Sequence, residues 1–185
     1  MITVPSCPLH NNHTSKDDEY VRGVIVSAAG NNKLSINHWR GDVRRSFIHS
    51  PKLFFKTFKH RNGNSFFHDR SRVDSVMIKI AYALYFHIYK KVWDSNLAPF
   101  YNQFYDDDGK VDIEVRFPKY KMIPDYNVYE GANPSVFKYQ YLEGRINSVQ
   151  NCLFKMIFYE GFEVLIMPVK DSSQTTTLIL DLKDL

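Results

Sequence analysis

Residues 71–93 read SRVDSVMIKIAYALYFHIYKKVW, and this stretch decides the fold. Val73, Val76, Met77, Ile80, Ala81, Leu84, Tyr85, Ile88 and Val92 recur at three- and four-residue spacing, which lines them up as one apolar stripe of an α-helix over about 72–93. Ser71 and Asp74 have the spacing of an N-terminal capping pair. This is the central core helix. Downstream the period changes from helical to two. Val111, Ile113, Val115 and Phe117 alternate with Asp112, Glu114 and Arg116, and Phe137, Tyr139 and Tyr141 alternate likewise, as half-buried strands do. Residues 152–159 and 162–168 are β-rich and separated by Glu160-Gly161, which predicts a tight hairpin, and 175–182 reads as a last strand. Everything after about residue 111 therefore reads as strand. Helices first and an antiparallel sheet second give the α+β class.

Upstream of the core helix the signals are shorter. Val21, Val24, Ile25 and Ala28 predict a helix that stops near Gly30-Asn31-Asn32. Ser15 and Asp18 again have capping spacing, and Asp17, Asp18 and Glu19 suit the positive end of a helix dipole. A short helix over 52–59 follows, then a turn at Asn62-Gly63 that could join two brief strands. Ile2-Thr3-Val4 is a short β-like entry closed by Pro5.

The chain has 185 residues, 44% apolar and 15% aromatic, enough for a packed core and inconsistent with a disordered protein. Its net charge of +4 is unevenly spread. From Arg40 to Arg72 there are nine Lys and Arg against Asp42 and Asp69, which indicates a local basic surface rather than a basic protein. Within it Lys52, Lys56, Lys59, Arg61, Arg70 and Arg72 are interleaved with Phe54, Phe55, Phe58, Phe66 and Phe67. Charges among aromatics track phosphates and stack on bases, although an amphipathic helix with buried Phe and exposed Lys has the same composition. Two cysteines are too few for a disulfide framework. No signal peptide is legible, and no segment reaches the roughly 18 apolar residues of a membrane helix. The sequence reads as soluble and cytoplasmic. Asp106-Asp107-Asp108-Gly109 lacks the spaced ligands of a calcium loop and reads as a solvated turn. His87 and Cys152 read as packed residues.

The chemistry is concentrated at the N-terminus. Residues 5–20, PSCPLHNNHTSKDDEY, combine a thiol, two imidazoles, carboxamides and three carboxylates. If a helix starts near Cys7, residues three and four apart share a face, and Cys7 and His10 converge on one point suited to zinc. Asn11 takes the neighbouring position, where its carbonyl oxygen can bind a harder ion or a phosphate. A tetrahedral site wants four ligands, so a second Cys/His pair is required from elsewhere. The plain alternative is a small buried cysteine beside polar residues of a chain terminus.

The segment from Ile2 to Asn11, followed by Ser15 to Tyr20, resembles the second half of an HNH-type (ββα-metal) nuclease module, and in particular that of a group of uncharacterised bacterial HNH-like proteins. Residues 78–87 resemble the central helix of that group, and 136–139 with 158–162 its terminal strands. The resemblance implies that Cys7 and His10 match the second zinc knuckle and that Asn11 matches the last letter of the HNH signature, a ligand of the catalytic Mg2+ or other divalent ion. It implies metal-assisted phosphodiester hydrolysis, with Lys52, Lys56, Lys59, Arg61, Arg70 and Arg72 as contacts to nucleic acid. Asn11 and His13 are the candidate catalytic residues, although His13 stands on the helix and the family's general-base histidine stands on a strand. The upstream Cys-x-x-Cys and the Glu-His or Asp-His pair have no counterpart in the sequence. The expectation is a reading frame that begins too late, a partner chain that supplies the missing half, a homodimer sharing one zinc through Cys7 and His10 of each copy, or a degenerate relative. Residues 1–30 are then a partial HNH-like unit and 31–185 an α+β domain, helical to about 93 and β-rich from about 111. Bacterial or phage defence is the setting such a family suggests. The alternative function is a non-catalytic assembly module that docks a partner through its β-rich half.

Overall fold

The structure is a computed structural model of the chain, and it describes residues 8–49, 58–61, 64–67, 69–104, 110–116, 128–146 and 149–169. The strands expected at 2–4 and 175–182, the turn at 106–109 and residues 52–57 of the expected short helix lie outside these residues. The first helix, α1, spans Pro8–Val26. Proline is favoured at the first helical position, where its missing N–H has no partner to lose. The capping pair read at Ser15 and Asp18 thus falls inside the helix and starts nothing. Asp17 and Asp18 instead reach across to cations of the long helix. α1 ends where Asn31 donates its Nδ2 to the carbonyls of Ile25 (2.7 Å) and Val26 (3.4 Å), and Gly30 turns the chain with φ +81°. Next come α2, Lys33–His38, capped by Asn32, a π-helical turn over Trp39–Val43 that kinks at Gly41, and α3, Arg44–His49.

Strands β1, Phe58–Arg61, and β2, Asn64–Phe67, pair antiparallel with Arg61 opposite Asn64, as two brief strands are expected to; the turn expected at Asn62-Gly63 lies outside the described residues. Residues 58 and 59, read as the end of a helix, therefore open a strand. The long helix α4 spans Arg70–Tyr89. Its cap is Asp69, whose carboxylate accepts from the Arg72 N–H and the Ser71 hydroxyl, two residues before the expected Ser71. It buries Val73, Val76, Met77, Ala81 and Leu84. Lys90, at φ +55°, ends it early. Beyond that turn Trp93 folds back to stack on Tyr85 (4.7 Å between ring centroids), and Val92, expected on the stripe, is 83% exposed.

One antiparallel sheet completes the described fold, with strands β3 (Leu97–Tyr101), β4 (Val128–Glu130), β5 (Phe137–Ile146), β6 (Val149–Phe158) and β7 (Phe162–Pro168) in the order β3-β7-β6-β5-β4. The hairpin expected at Glu160-Gly161 forms, but its turn also takes in Tyr159, which the sequence reading placed in the strand. β3 contains Pro99 and shows no alternation; at a sheet edge a proline costs no ladder bond. The five residues Asp112–Arg116 form a short helix, α5, and not the strand their alternation suggests. Asp112 and Ile113 are adjacent yet both buried, at 5% and 1% exposure, which a half-buried strand does not allow.

The sheet buries both faces. On one side Phe154, Met156, Phe158, Phe162, Val164 and Ile166 meet Tyr20, Val21 and Val24 of α1 and the stripe of α4. On the other, Phe100, Leu142, Leu153, Leu165 and Met167 cluster with Ile113 of α5. Each fully buried large side chain contributes about 2 kcal/mol through burial. The two layers are also keyed by backbone. The loop before α2 sits on the β6–β7 turn, where Asn32 N donates to Tyr159 O (2.8 Å) and a Cβ on Gly161 would lie 2.5 Å from the Asn31 nitrogen and the Gly30 carbonyl carbon. No helix among the described residues is long and apolar enough to cross a membrane.

Candidate functional site

His10, Asn11 and His13 are the third, fourth and sixth residues of α1 as described from Pro8. His10 and His13 are three apart and Asp17 follows His13 by four, which puts all three positions on one face of the helix backbone. Asp17 is where that face is anchored. Its carboxylate receives Arg72 Nε at 2.6 Å, Arg72 Nη2 donates to the Lys16 carbonyl at 2.9 Å, and the guanidinium lies 4.3 Å from the centroid of the Tyr20 ring. One turn along, Lys79 bonds Asp18 at 2.5 Å, and the Ser46 hydroxyl of α3 donates to Glu19. Tyr20 is fully buried and accepts the Asp69 N–H through its hydroxyl at 3.2 Å. The three acids 17–19 are thus used as ties between α1 and its neighbours.

Cys7, Lys52 and Lys56 lie outside the described residues, as do the side chains of residues 8–14. Lys59 and Arg61 occupy β1, opposite Phe66 and Asn64. Arg70 and Arg72 are both committed within the chain. Arg70 grips Asp112 with two bonds, Nη1 to Oδ1 at 3.2 Å and Nη2 to Oδ2 at 2.8 Å, and also reaches the Pro99 carbonyl at 3.4 Å. Its Nε lies 3.7 Å from Asp74, whose carboxylate accepts the Tyr101 hydroxyl at 2.7 Å. Asp112 Oδ2 further accepts the Tyr101 N–H at 3.1 Å. Burial lowers the Arg70 pKa, but hydrogen bonding and charge from Asp112, with Asp74 behind it, outweigh burial and raise it. Burial, then the Asp74 charge, push the Tyr101 hydroxyl well above the usual phenol range. This network pins the start of α4 to β3 and α5. The pairing of Arg70 with Asp112 has no sequence signal, because the two are 42 residues apart and Asp112 reads as a strand residue.

A second titratable cluster sits where α4 crosses the sheet. The Tyr89 hydroxyl donates to the Glu143 carboxylate and lies 4.0 Å from Cys152 Sγ. Burial pushes the Cys152 thiol up to about 12, which keeps it protonated and unreactive at neutral pH, in agreement with its reading as core. Among the described residues no group of three or more His, Cys, Asp or Glu is arranged to hold a metal ion. Comparison with protein-family models, with curated proteins and with solved structures found no match.

Proposed function

We propose that the chain is an HNH-like nuclease-family protein that acts on or binds nucleic acid, with its metal ligands at the head of α1. The observation that carries this reading is the helical placement of His10 and Asn11. Both lie on α1, described from Pro8, and they follow Cys7 in the sequence by three and four residues, the spacing a zinc-knuckle pair followed by a catalytic-metal ligand requires. The donor chemistry agrees in part: a thiolate and an imidazole suit zinc, and a carboxamide oxygen suits Mg2+ or another hard divalent ion. Two zinc ligands and a general base must come from another segment, a partner chain or a second copy. When bound, a divalent ion supplies charge stabilisation at the scissile phosphate. Asn11 would hold it through its carbonyl oxygen, and Cys7 and His10 would fix the helix start around zinc. The ties at Asp17 and Asp18 hold this helix to α4, so the ligand positions ride on a rigid element.

Incubation with plasmid DNA and Mg2+ tests the hydrolytic part. Nicking that Asn11→Ala abolishes supports it. Equal inactivity of the wild type and Asn11→Ala removes hydrolysis by this chain alone and leaves binding. The second reading, a non-catalytic docking module, is favoured by edge strand β4, whose three residues are all exposed, with Tyr129 stacked 5.4 and 5.2 Å from Tyr139 and Tyr141.

A further inference from the structure

The sequence places Arg40, Arg44 and Arg45 at the start of the same basic run as Arg70 and Arg72, but the fold separates them. Lys33, Arg40, Arg44 and Arg45 all lie on the kinked segment formed by α2, the π-helical turn and α3, and all four are exposed. None forms an ion pair among the described residues, whereas Arg70, Arg72, Lys79 and Lys155 all do. The one acid in residues 33–45 is Asp42, so four cations face one carboxylate. Lys33, Asn37 and Arg40 follow one another at four- and three-residue steps, Arg44 follows beyond the kink at Gly41, and every one is exposed.

Arg22 of α1, also exposed, borders the same segment. Its charge opposes the rise that burial causes in the Tyr159 pKa, and Tyr159 OH lies 2.8 Å from His38 Nδ1 of α2. The segment is held firmly from beneath. Asn32 caps α2 and donates to the Ser135 carbonyl at 2.8 Å, Ser35 and Val43 are buried, and Ser46 is tied to Glu19. Gly41 departs from helical backbone (φ −85°, ψ −112°) and kinks the segment between α2 and α3.

We infer that the exposed face of residues 33–45, flanked by Arg22, is a docking surface for the phosphate backbone of a nucleic-acid duplex. Charge complementarity selects the occupant: unpaired guanidiniums on a segment anchored from beneath match closely spaced phosphates, and their fork geometry suits phosphate oxygens. Among residues 33–45 the exposed side chains are cationic, small polar or aliphatic apart from Asp42, and the rings of His38 and Trp39 are only half-exposed, which favours contact with a duplex backbone over base stacking on a single strand. The inference deepens the nucleic-acid part of the proposed function and moves the contact surface away from Arg70 and Arg72.

The test is fluorescence anisotropy of a labelled 20-base-pair DNA with the full chain, over a series of salt concentrations. Wild type is compared with Arg40→Gln/Arg44→Gln and with Lys90→Gln/Lys91→Gln, which removes the same charge from the exposed end of α4. The expected result is an affinity loss of about ten-fold or more in the arginine pair, with a salt slope shallower by about two, and a loss under about two-fold in the lysine pair. Circular dichroism confirms that both variants are folded. Equal losses in the two variants, tighter binding of single-stranded DNA through the same arginines, or binding to anionic phosphatidylglycerol vesicles but not DNA would each overturn the inference. Zinc is measured in the same samples. Zinc retained with no effect of the arginine substitutions leaves the HNH reading standing and removes this surface. Arginine-dependent binding without zinc does the reverse.

Discussion

Two groups of cations that are neighbours in sequence have opposite surroundings in the fold. At the start of α4, Arg70 and Arg72 are surrounded by carboxylates and carbonyls of the chain itself, and their donors point into Asp112, Asp17, Pro99 and Lys16. On the α2–α3 segment, Arg40, Arg44 and Arg45 face solvent with no such partners among the described residues. The difference teaches that a count of basic residues does not locate a binding surface. Pairing does, because a guanidinium already held by two carboxylate oxygens must surrender them to meet a phosphate.

Substitutions can break or sharpen that contrast. The largest effect belongs to Arg70→Leu, which leaves Asp112 buried at 5% exposure without its cation. A fully buried broken pair costs 3–5 kcal/mol, and because the Arg70 side chain is itself 36% exposed the expectation is about 2 kcal/mol in urea unfolding, with DNA affinity per folded molecule unchanged. Arg72→Leu removes one charged hydrogen bond, a second to a carbonyl and the contact with Tyr20, and should cost about 1.5 kcal/mol in the same assay. Lys79→Ala breaks a solvent-exposed pair with Asp18 and should cost about 0.5 kcal/mol, a loss that shrinks further in high salt. Smallest of all is Arg40→Gln/Arg44→Gln, expected to stay within about 0.5 kcal/mol of wild type, since exposed residues without partners contribute little to folding. An Arg70 variant as stable as wild type, or an Arg40/Arg44 variant that unfolds, would invert the comparison.

The fold was legible where one pattern ran long enough to be unambiguous. Eight of the nine stripe positions lie in α4, and the strand pairs on either side of Asn62-Gly63 and of Glu160-Gly161 form as the sequence indicates. What escaped depends on tertiary contacts. Asp112 to Arg116 alternate as a strand does, yet Arg70 and the Tyr101 N–H draw Asp112 inward beside Ile113, and the segment coils. β3 escaped because Pro99 and Ala98 break any β signal, and it forms by pairing with β7. The capping pair at Ser15 lies inside α1, which already runs from Pro8, and Asp17 and Asp18 found cations on α4 instead. The candidate site was legible only as a motif, Cys7-x-x-His10-Asn11, of which Cys7 lies outside the described residues. The commitment of Arg70 and Arg72 to internal pairs could not be read, because their partners lie 42 and 55 residues away.

The central claim is that the head of α1 carries half of a metal site. The direct measurement is elemental analysis of the purified 185-residue chain beside its Cys7→Ala variant. The account predicts zinc at about one ion per chain, or per two chains if copies share it, and its loss in the variant. Zinc in the wild type no higher than in Cys7→Ala would contradict the metal-site reading and turn attention to the exposed sheet edge at β4.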